Sequence, residues 1–455
     1  MPHLTTADRG GRTVKLMTKY QWIFNIKDQK AWIDYIGPIV TFFETWQDFH
    51  LFRGQGVYRK MQTIGDTGQP NFDTGGHALL VVGYNDPDKN DPDGYWIVKN
   101  SWGPNWGDGG FAKIAYGECE IDSRAKIGQV GTDPDPWAKR RLHAGNLLES
   151  GKGSLLRDFE MVATTGSGGS LRHWRRDNST PGLPWVQATT FADDAAACPA
   201  ITASTYDREL ECVYLTNKGQ LHNWYFDQSI GQWRYGDTFG TVAIAGAPGF
   251  IQVDEHAPGD FVVVAMTSGH QLLQMNRCNG APWPHAPGEW YEDARFGSGV
   301  SQSGPSLLQS RRSSSGGAQG DLHVVCAIDG GQMQHWQRIW GGDWTLQETF
   351  GSGVASPPCM IEGQWGMQDE LGVGNFELCV AVGGSVQHWW RDNSGQGGWQ
   401  HATTFGHDVA SVLGLLEGSF ESNFEVVVLT TGGMLQHYWR DANLVWHEGV
   451  VIGHA

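Results

Sequence analysis

The chain has 455 residues, room for two to four domains at roughly 100–200 residues each. Hydrophobic residues make up 40% and charged residues 18%, which excludes wholesale disorder, and no apolar run reaches the roughly 18 residues that a membrane span requires. The net charge of −17 is uneven: residues 1–130 hold 14 Lys+Arg against 15 Asp+Glu, and residues 131–455 hold 18 against 34. An acidic C-terminal two-thirds repels phosphate backbones, so no nucleic-acid partner is expected.

Glycine, at 63 residues, is about twice its usual ~7% share, and there are 22 Trp. Many Gly and Trp with few charges point to a β-rich, turn-dense chain. The seven cysteines, Cys119 to Cys379, show no CxxC and no metal-type spacing, so neither zinc, another metal nor a cofactor is expected. The first residues, MPHLTTADRGGRTVKL, have no apolar core of a signal peptide.

In chain order, the first strong pattern lies at 75–83, GGHALLVVG, and 95–111, YWIVKNSWGPNWGDGGF. A His entering an apolar strand, a polar turn, and a second strand ending in Asn suit nucleophilic cysteine chemistry. There imidazole takes the thiol proton, and an Asn amide accepts the imidazole N–H and sets its tautomer. His77 is the expected base and Asn100 its orienter. Trp102 and Trp106 are expected to shield that bond from water, where a hydrogen bond is worth more. Gly103, Gly107, Gly109 and Gly110 would permit the tight turns around it. The Asp-rich stretch 86–93 lacks the Gly and Glu of a calcium loop and reads as a solvated hairpin tip.

The NSWGxxWGxxG block resembles the papain (C1) family of cysteine peptidases, over about residues 12–130. Upstream, GPIV at 37–40, DF at 48–49 and GQGVY at 54–58 match the stretch preceding the catalytic His in that family, and Cys119 resembles its terminal Cys-Gly-Ile element. The resemblance implies the antiparallel, barrel-like half of an α+β papain fold over 1–130. The family's nucleophilic Cys lies about 130–150 residues before the His and Asn, whereas no cysteine here precedes Cys119. Counting back from His77 places that Cys ~50–70 residues before Met1. Loss of a triad nucleophile costs on the order of 10⁶ in kcat, so this chain alone is not expected to cleave peptides. Cys119 stands 19 residues after Asn100 and is a poor replacement.

Residues 128–141, GQVGTDPDPWAKRR, read as a turn-rich connection because proline removes a donor and restricts φ. The expected linker is 131–144, with a second domain at 145–455.

That domain repeats. One copy reads Asn423-Phe-Glu-Val-Val-Val-Leu, then Leu435-Gln-His-Tyr-Trp-Arg-Asp441, then Trp446. Others carry Asn375-Phe-Glu with Val386-Gln-His-Trp-Trp-Arg-Asp392, and Asp158-Phe-Glu with Leu171-Arg-His-Trp-Arg-Arg-Asp177. Three weaker copies hold Asn223, Gln274 and His335 where these have His173, His388 and His437. Trp185/Phe191, Trp233/Phe239, Trp290/Phe296, Trp344/Phe350 and Trp399/Phe405 keep one spacing, and Trp446/Ile452 continues it. A ~50-residue unit of short β-runs cannot bury its own faces, whereas radial stacking of four-stranded blades can. The expectation is an all-β propeller of six repeats, six- or seven-bladed, with the Trp/Phe column as blade-packing core. HWxRD, W-x5-FG and NFE together resemble the PLL-type, tectonin-like propeller lectins.

Sugar sites combine an aromatic ring with Asp, Arg, His or Asn. The candidate carbohydrate-binding residues are His173, Trp174, Asp177, His388, Trp390, Asp392, His437, Trp439 and Asp441; a hydrogen-bonded seam between blades is the structural alternative for the same residues. Two functions follow. One is the C-terminal portion of a papain-like cysteine peptidase tethered to glycans or glycoproteins by its propeller, with peptide substrates only when the nucleophile half is present. The other is a non-enzymatic fucose- or galactose-type lectin with a vestigial peptidase half. The resemblance implies an extracellular location.

Overall fold

The computed structural model describes residues 19–455 apart from 36, 65–67, 88–93, 123–125, 131–137, 151–157, 166–168, 179, 205–209, 255–258, 281–284, 316–318, 340, 367–373, 394–396 and 419–422. The chain divides into two units, Met1–Pro136 and Trp137–Ala455. Most of the Asp-rich hairpin at 86–93 lies outside the described residues.

In the first unit, β1 (Lys19–Ile23) leads to α1 (Ile26–Tyr35) and β2 (Ile39–Trp46). Then come α2 (Gln47–Leu51), β3 (Val57–Tyr58), β4 (Thr63–Ile64), β5 (Gln69–Pro70) and β6 (Asp73–Asn85). The unit ends with β7 (Tyr95–Lys99), β8 (Phe111–Ala115) and β9 (Lys126–Val130). Seven strands form one sheet in the order β1-β9-β2-β6-β7-β8-β3. In β2 burial alternates strictly, so Ile39, Thr41, Phe43 and Thr45 face inward, the period-two pattern of a half-buried strand. Phe43, Phe49, Leu79, Val81, Trp96, Val98, Trp106 and Ile114 make the core. Its central hairpin, β6 with β7, holds the segment that begins at His77 and ends at Asn100.

The second unit is a six-bladed β-propeller. Blades span 147–191, 200–239, 249–296, 300–350, 359–405 and 409–454, and each is a four-stranded antiparallel meander. The first strand of each blade touches the first strand of the next, and that of blade 6 touches that of blade 1. Six-fold closure therefore settles the blade number.

The Trp/Phe column is the cement of the ring. The Phe ending one blade stacks on the Trp that opens the outer strand of the next. Phe191–Trp233 (4.4 Å), Phe239–Trp290 (3.7 Å), Phe296–Trp344 (4.3 Å), Phe350–Trp399 (4.9 Å) and Phe405–Trp446 (3.8 Å) all lie within 12° of parallel. At the closing seam Ile452 takes the Phe position in a cluster with Trp185.

The connection is shorter than expected. Residues 131–137 lie outside the described residues, and from α3 (Ala138–Arg141) the chain belongs to the propeller. The strand β10 (His143–Gly145) pairs with the inner strand of blade 6 and touches the inner strands of all six blades, so it lies on the propeller axis. Gly145 has φ +72°, and a Cβ there would meet the Leu413 carbonyl oxygen at 2.1 Å; only glycine fits. Arg141 is buried and its Nη1 donates to the fully buried Glu362 at 2.7 Å. Arg140, also buried, donates its Nε–H to the Ala203 carbonyl at 3.0 Å, so both arginines that follow the Asp-Pro stretch of the sequence are held by the propeller.

Candidate active site and interblade seams

β6 presents His77 and β7 delivers Asn100 at its end. His77 Nε2–H donates to Asn100 Oδ1 at 2.9 Å, and the Ser101 backbone N–H donates to the same oxygen at 2.7 Å. Two donors converging on one atom fix the amide orientation, since an amide nitrogen cannot accept. The neutral His77 ring in this arrangement therefore carries its proton on Nε2. Asn100 is buried and His77 half-buried.

Trp102 stacks against the His77 ring at 4.9 Å and 29°. It meets Trp106 edge-on at 5.4 Å, and Trp106 Nε1–H donates to the Phe49 carbonyl at 3.2 Å. The loop carrying both tryptophans turns through Gly103, Gly107, Gly109 and Gly110, all at positive φ. Cys119 packs elsewhere in this unit, beside Tyr58. Burial, reinforced by the negative charge of Glu118, pushes its thiol up to about 12. A thiol so held is not a nucleophile at neutral pH.

In the propeller, the histidines of the HWxRD element are buried and paired with the glutamates of the NFE element. His173 Nε2 bonds Glu160 at 2.7 Å, His388 bonds Glu377 at 2.7 Å and His437 bonds Glu425 at 2.5 Å. In blade 2 the pair is Asn223 Nδ2 to Glu211 at 3.0 Å, and in blade 4 it is His323 to His335 at 2.9 Å. Burial lowers His323 to about 3 and holds His335 well below its ordinary value, so both are neutral. The covariation of these positions within one chain was the signal available in the sequence for the pairing.

At four seams the next blade closes over this position. Arg391 Nη1 bonds His335 Nδ1 at 2.6 Å, with Trp399 Nε1–H donating to the same atom at 3.2 Å. Arg338 reaches Gln274 and Asp293, and Arg176 approaches Glu425 at 3.5 Å. Phe226 stands in the arginine's place and meets His173 edge-on.

Among the described residues, cavities of similar size lie at two of the seams. One, about 190 Å³, lies between blades 6 and 1 and is lined by Arg176, Leu183, Glu425, His437, Trp439 and Val450 among others. The other, about 180 Å³, lies between blades 3 and 4 and includes Gln274, Asn276, Tyr291, Asp293 and Arg338. His437 and Trp439 thus share a cavity. Trp174 does not follow that plan: it is a core residue, its ring pressed against Gly453. Strand alternation is the reason, because Trp174 occupies the position of Trp389 and Tyr438, whereas the place of Trp390 and Trp439 is taken in blade 1 by Arg175, paired with Asp158. Asp177 and Asp441 brace turns: Asp177 accepts from Thr180, and Asp441 from the backbone of Asn443 and Val445. Trp390 and Asp392 are half-buried.

Residues 5–129 match the papain family cysteine proteases. Among individual proteins, the chain is similar to cathepsin C of Schistosoma mansoni, 39% identical over 90 residues covering 19% of each chain. It is also similar to cathepsin B-like CP1 of Giardia intestinalis, 40% identical over 88 residues covering 19% of this chain and 26% of that one. The chain spans well under a third of the length of these relatives. Among solved structures, the SapL1 lectin in complex with alpha methyl fucoside aligns with 70% of this chain and 98% of its own, at 12% identity and TM-score 0.48. The architecture is a papain-like N-terminal region followed by a six-bladed all-β propeller.

Proposed function

We propose that this chain is the histidine- and asparagine-bearing portion of a papain-like cysteine peptidase joined to a glycan-binding propeller. The observation that carries the first part is the His77–Asn100 pair, with the tautomer set by Ser101 and one ring face covered by Trp102. Such a dyad takes a thiol proton on Nδ1, holds imidazolium beside thiolate, and returns the proton to the leaving amine. His77 is the base, Asn100 the orienter, and Trp102 and Trp106 their cover.

The chain by itself supplies no thiolate to this base. No cysteine stands before Cys119 in its sequence, and Cys119 is protonated at neutral pH. This favours the second reading for the chain in isolation, a lectin with an inactive peptidase half. The purified protein is expected to leave fluorogenic dipeptide amides uncleaved at pH 5–7; turnover that disappears in H77A would overturn that reading. Sequencing the transcript upstream of the Met1 codon separates the two: an in-frame cysteine block makes His77 and Asn100 live, and a nearby stop codon leaves only the lectin.

For the propeller, the supporting feature is the seam between blades 6 and 1. Trp439, Leu183 and Val450 offer an apolar wall, while Arg176, Glu425 and His437 offer hydrogen-bonding groups. That mixture suits a sugar ring, with C–H faces on one side and hydroxyls on the other. At about 190 Å³ the cavity suits one monosaccharide rather than an oligosaccharide. Fucose and galactose are the ligands to titrate, with W439A expected to abolish the heat of binding. Two or more weak sites on one propeller would gain 10²–10⁴ in avidity on a glycan-coated surface. The resemblance to cathepsins supports a location outside the cell or in a lysosome.

A further inference from the structure

Blade 4 departs from its neighbours at one place. Where the second strands of blades 1, 2, 5 and 6 carry Glu160, Glu211, Glu377 and Glu425, blade 4 carries His323. Its partner on the third strand is His335, Nδ1 to Nε2 at 2.9 Å, and both rings are buried. In blades 1, 5 and 6 an imidazolium at the third-strand position would face a carboxylate. In blades 2 and 3 that position holds Asn223 and Gln274, which do not titrate.

The hydrogen bonds around the His323–His335 pair leave no lone pair open. Arg391 Nη1–H and Trp399 Nε1–H, both from blade 5, end on His335 Nδ1 at 2.6 and 3.2 Å. Neither donor can accept, so His335 carries its proton on Nε2 and donates it to His323 Nδ1. A further proton on His335 has to expel the guanidinium and the indole, and one on His323 has to expel the His335 N–H. Either way a second cation is set near Arg391 in a buried site, where like charges repel far more than in water. Burial first, then neighbouring charge that includes Arg391, holds both imidazoles neutral.

Among the described residues, no carboxylate is bonded to this pair. Phe376 of blade 5 covers both rings, at 4.7 and 5.7 Å. Glu348, on the outer strand of blade 4, lies near Arg391 and accepts the Trp399 backbone N–H at 3.0 Å. Asp321, just before the His323 strand, accepts from Ser314 and Gln337, and Glu377, beside Phe376, belongs to His388. His143, also held neutral by burial, lies on the axis rather than at a seam.

We propose that the seam between blades 4 and 5 is an acid-operated latch: protonation of the His323–His335 pair displaces Arg391 and Trp399 and opens the ring there before any other seam. The Trp399 ring that leaves is the one stacked on Phe350, so one proton breaks the polar and the aromatic contact of that seam together. A closed ring then becomes an open arc with exposed blade edges. Neither the dyad nor a sugar takes part.

The test follows the Trp399 indole N–H of the full ¹⁵N-labelled chain from pH 7 to 4, its resonance assigned with W399F. A released imidazole returns to its ordinary value of about 6.5. Each unit of pH below that raises the open-to-closed ratio by up to about tenfold per histidine, and about a hundredfold for the pair. The Trp399 resonance is expected to leave its folded position while those of Trp185 and Trp446, at the seams next to His437 and His388, keep theirs. H323E, which restores the carboxylate of the other blades, is expected to move the transition lower by about one pH unit. H323Q keeps an acceptor without the titrating ring and is expected to reduce the slope to about tenfold per unit. A Trp399 resonance unmoved at pH 4, one that moves together with Trp185 and Trp446, or one with the same midpoint and slope in both variants as in the wild type overturns the latch.

Discussion

Phe239 and Trp290 lie face to face at 3.7 Å and 3°, the end of blade 2 against the outer strand of blade 3. The same contact recurs at four further seams, and each joins residues of different repeats. The column therefore binds neighbours together rather than stabilising any blade alone, which is how a ring of units too small to fold singly becomes one cooperative body.

Trp399→Ala is expected to cost about 3–5 kcal/mol, the range for removing a buried Trp. It removes the stack on Phe350 and also the donor to His335 Nδ1. Equilibrium urea unfolding, followed by tryptophan fluorescence, checks this; a loss under about 1 kcal/mol, ordinary for a point substitution, would show the seam to be dispensable.

The axial segment makes a second prediction. Glu362 accepts from Arg141, from the Arg311 N–H at 2.8 Å, and from Ser310 and Asn393. Arg141→Met leaves a buried carboxylate short of its cation, and breaking a buried pair from one side costs about 3–5 kcal/mol. The double variant R141M/E362Q is expected to recover part of that loss. Thermal unfolding of the four-member cycle measures it.

Stability is expected to peak near pH 6.5. Burial raises Glu417 to about 7 from 4.5. Between those values the folded state holds a proton that the unfolded state has lost, so stability rises as pH falls through 7 and levels off near 4.5. Burial lowers His143 and His323 from 6.5 to about 3. Below 6.5 the unfolded state takes up protons that the folded state refuses, so these histidines remove stability as pH falls further. Unfolding free energies from pH 5 to 8.5 test this, and E417Q should flatten the rise between 8 and 6.5 and steepen the fall below 6.5, where the Glu417 proton otherwise offsets part of the histidine loss.

Asn100→Ala is expected to release the His77 tautomer. Long-range ¹⁵N–¹H spectra of the wild type at pH 8 should show the proton on Nε2 alone, and the variant a mixture. An unchanged ring in N100A would mean that Trp102 stacking, not the amide, orients the imidazole.

The seam contacts also show where the sequence stops being legible. The contact of His77 with Asn100 and with the tryptophan loop was readable because these residues sit on one hairpin and its turn, where spacing along the chain is spacing in space. The repeats were readable for the same reason: strand alternation and the W-x5-F interval are local, and a run such as Phe424–Thr430 needs only its own residues to declare itself a strand. The prolines at 199, 248 and 358, each immediately before an inner strand, were equally local, yet their meaning as a ring about the axis emerges only in the assembled propeller.

What the sequence determined by itself was thus the identity of the units: a papain-like hairpin with its dyad, then six copies of a β-meander. The tertiary structure decided which surfaces those copies turn toward one another. It put Phe405 on Trp446, Ile452 beside Trp185, Glu377 under His388 and Arg141 on Glu362. It also made core of Trp174 while leaving Trp439 at a cavity. The physical reason is that closing a ring brings together residues hundreds of positions apart, and a polar side chain written identically in each copy is buried or open according to what the neighbouring blade supplies against it.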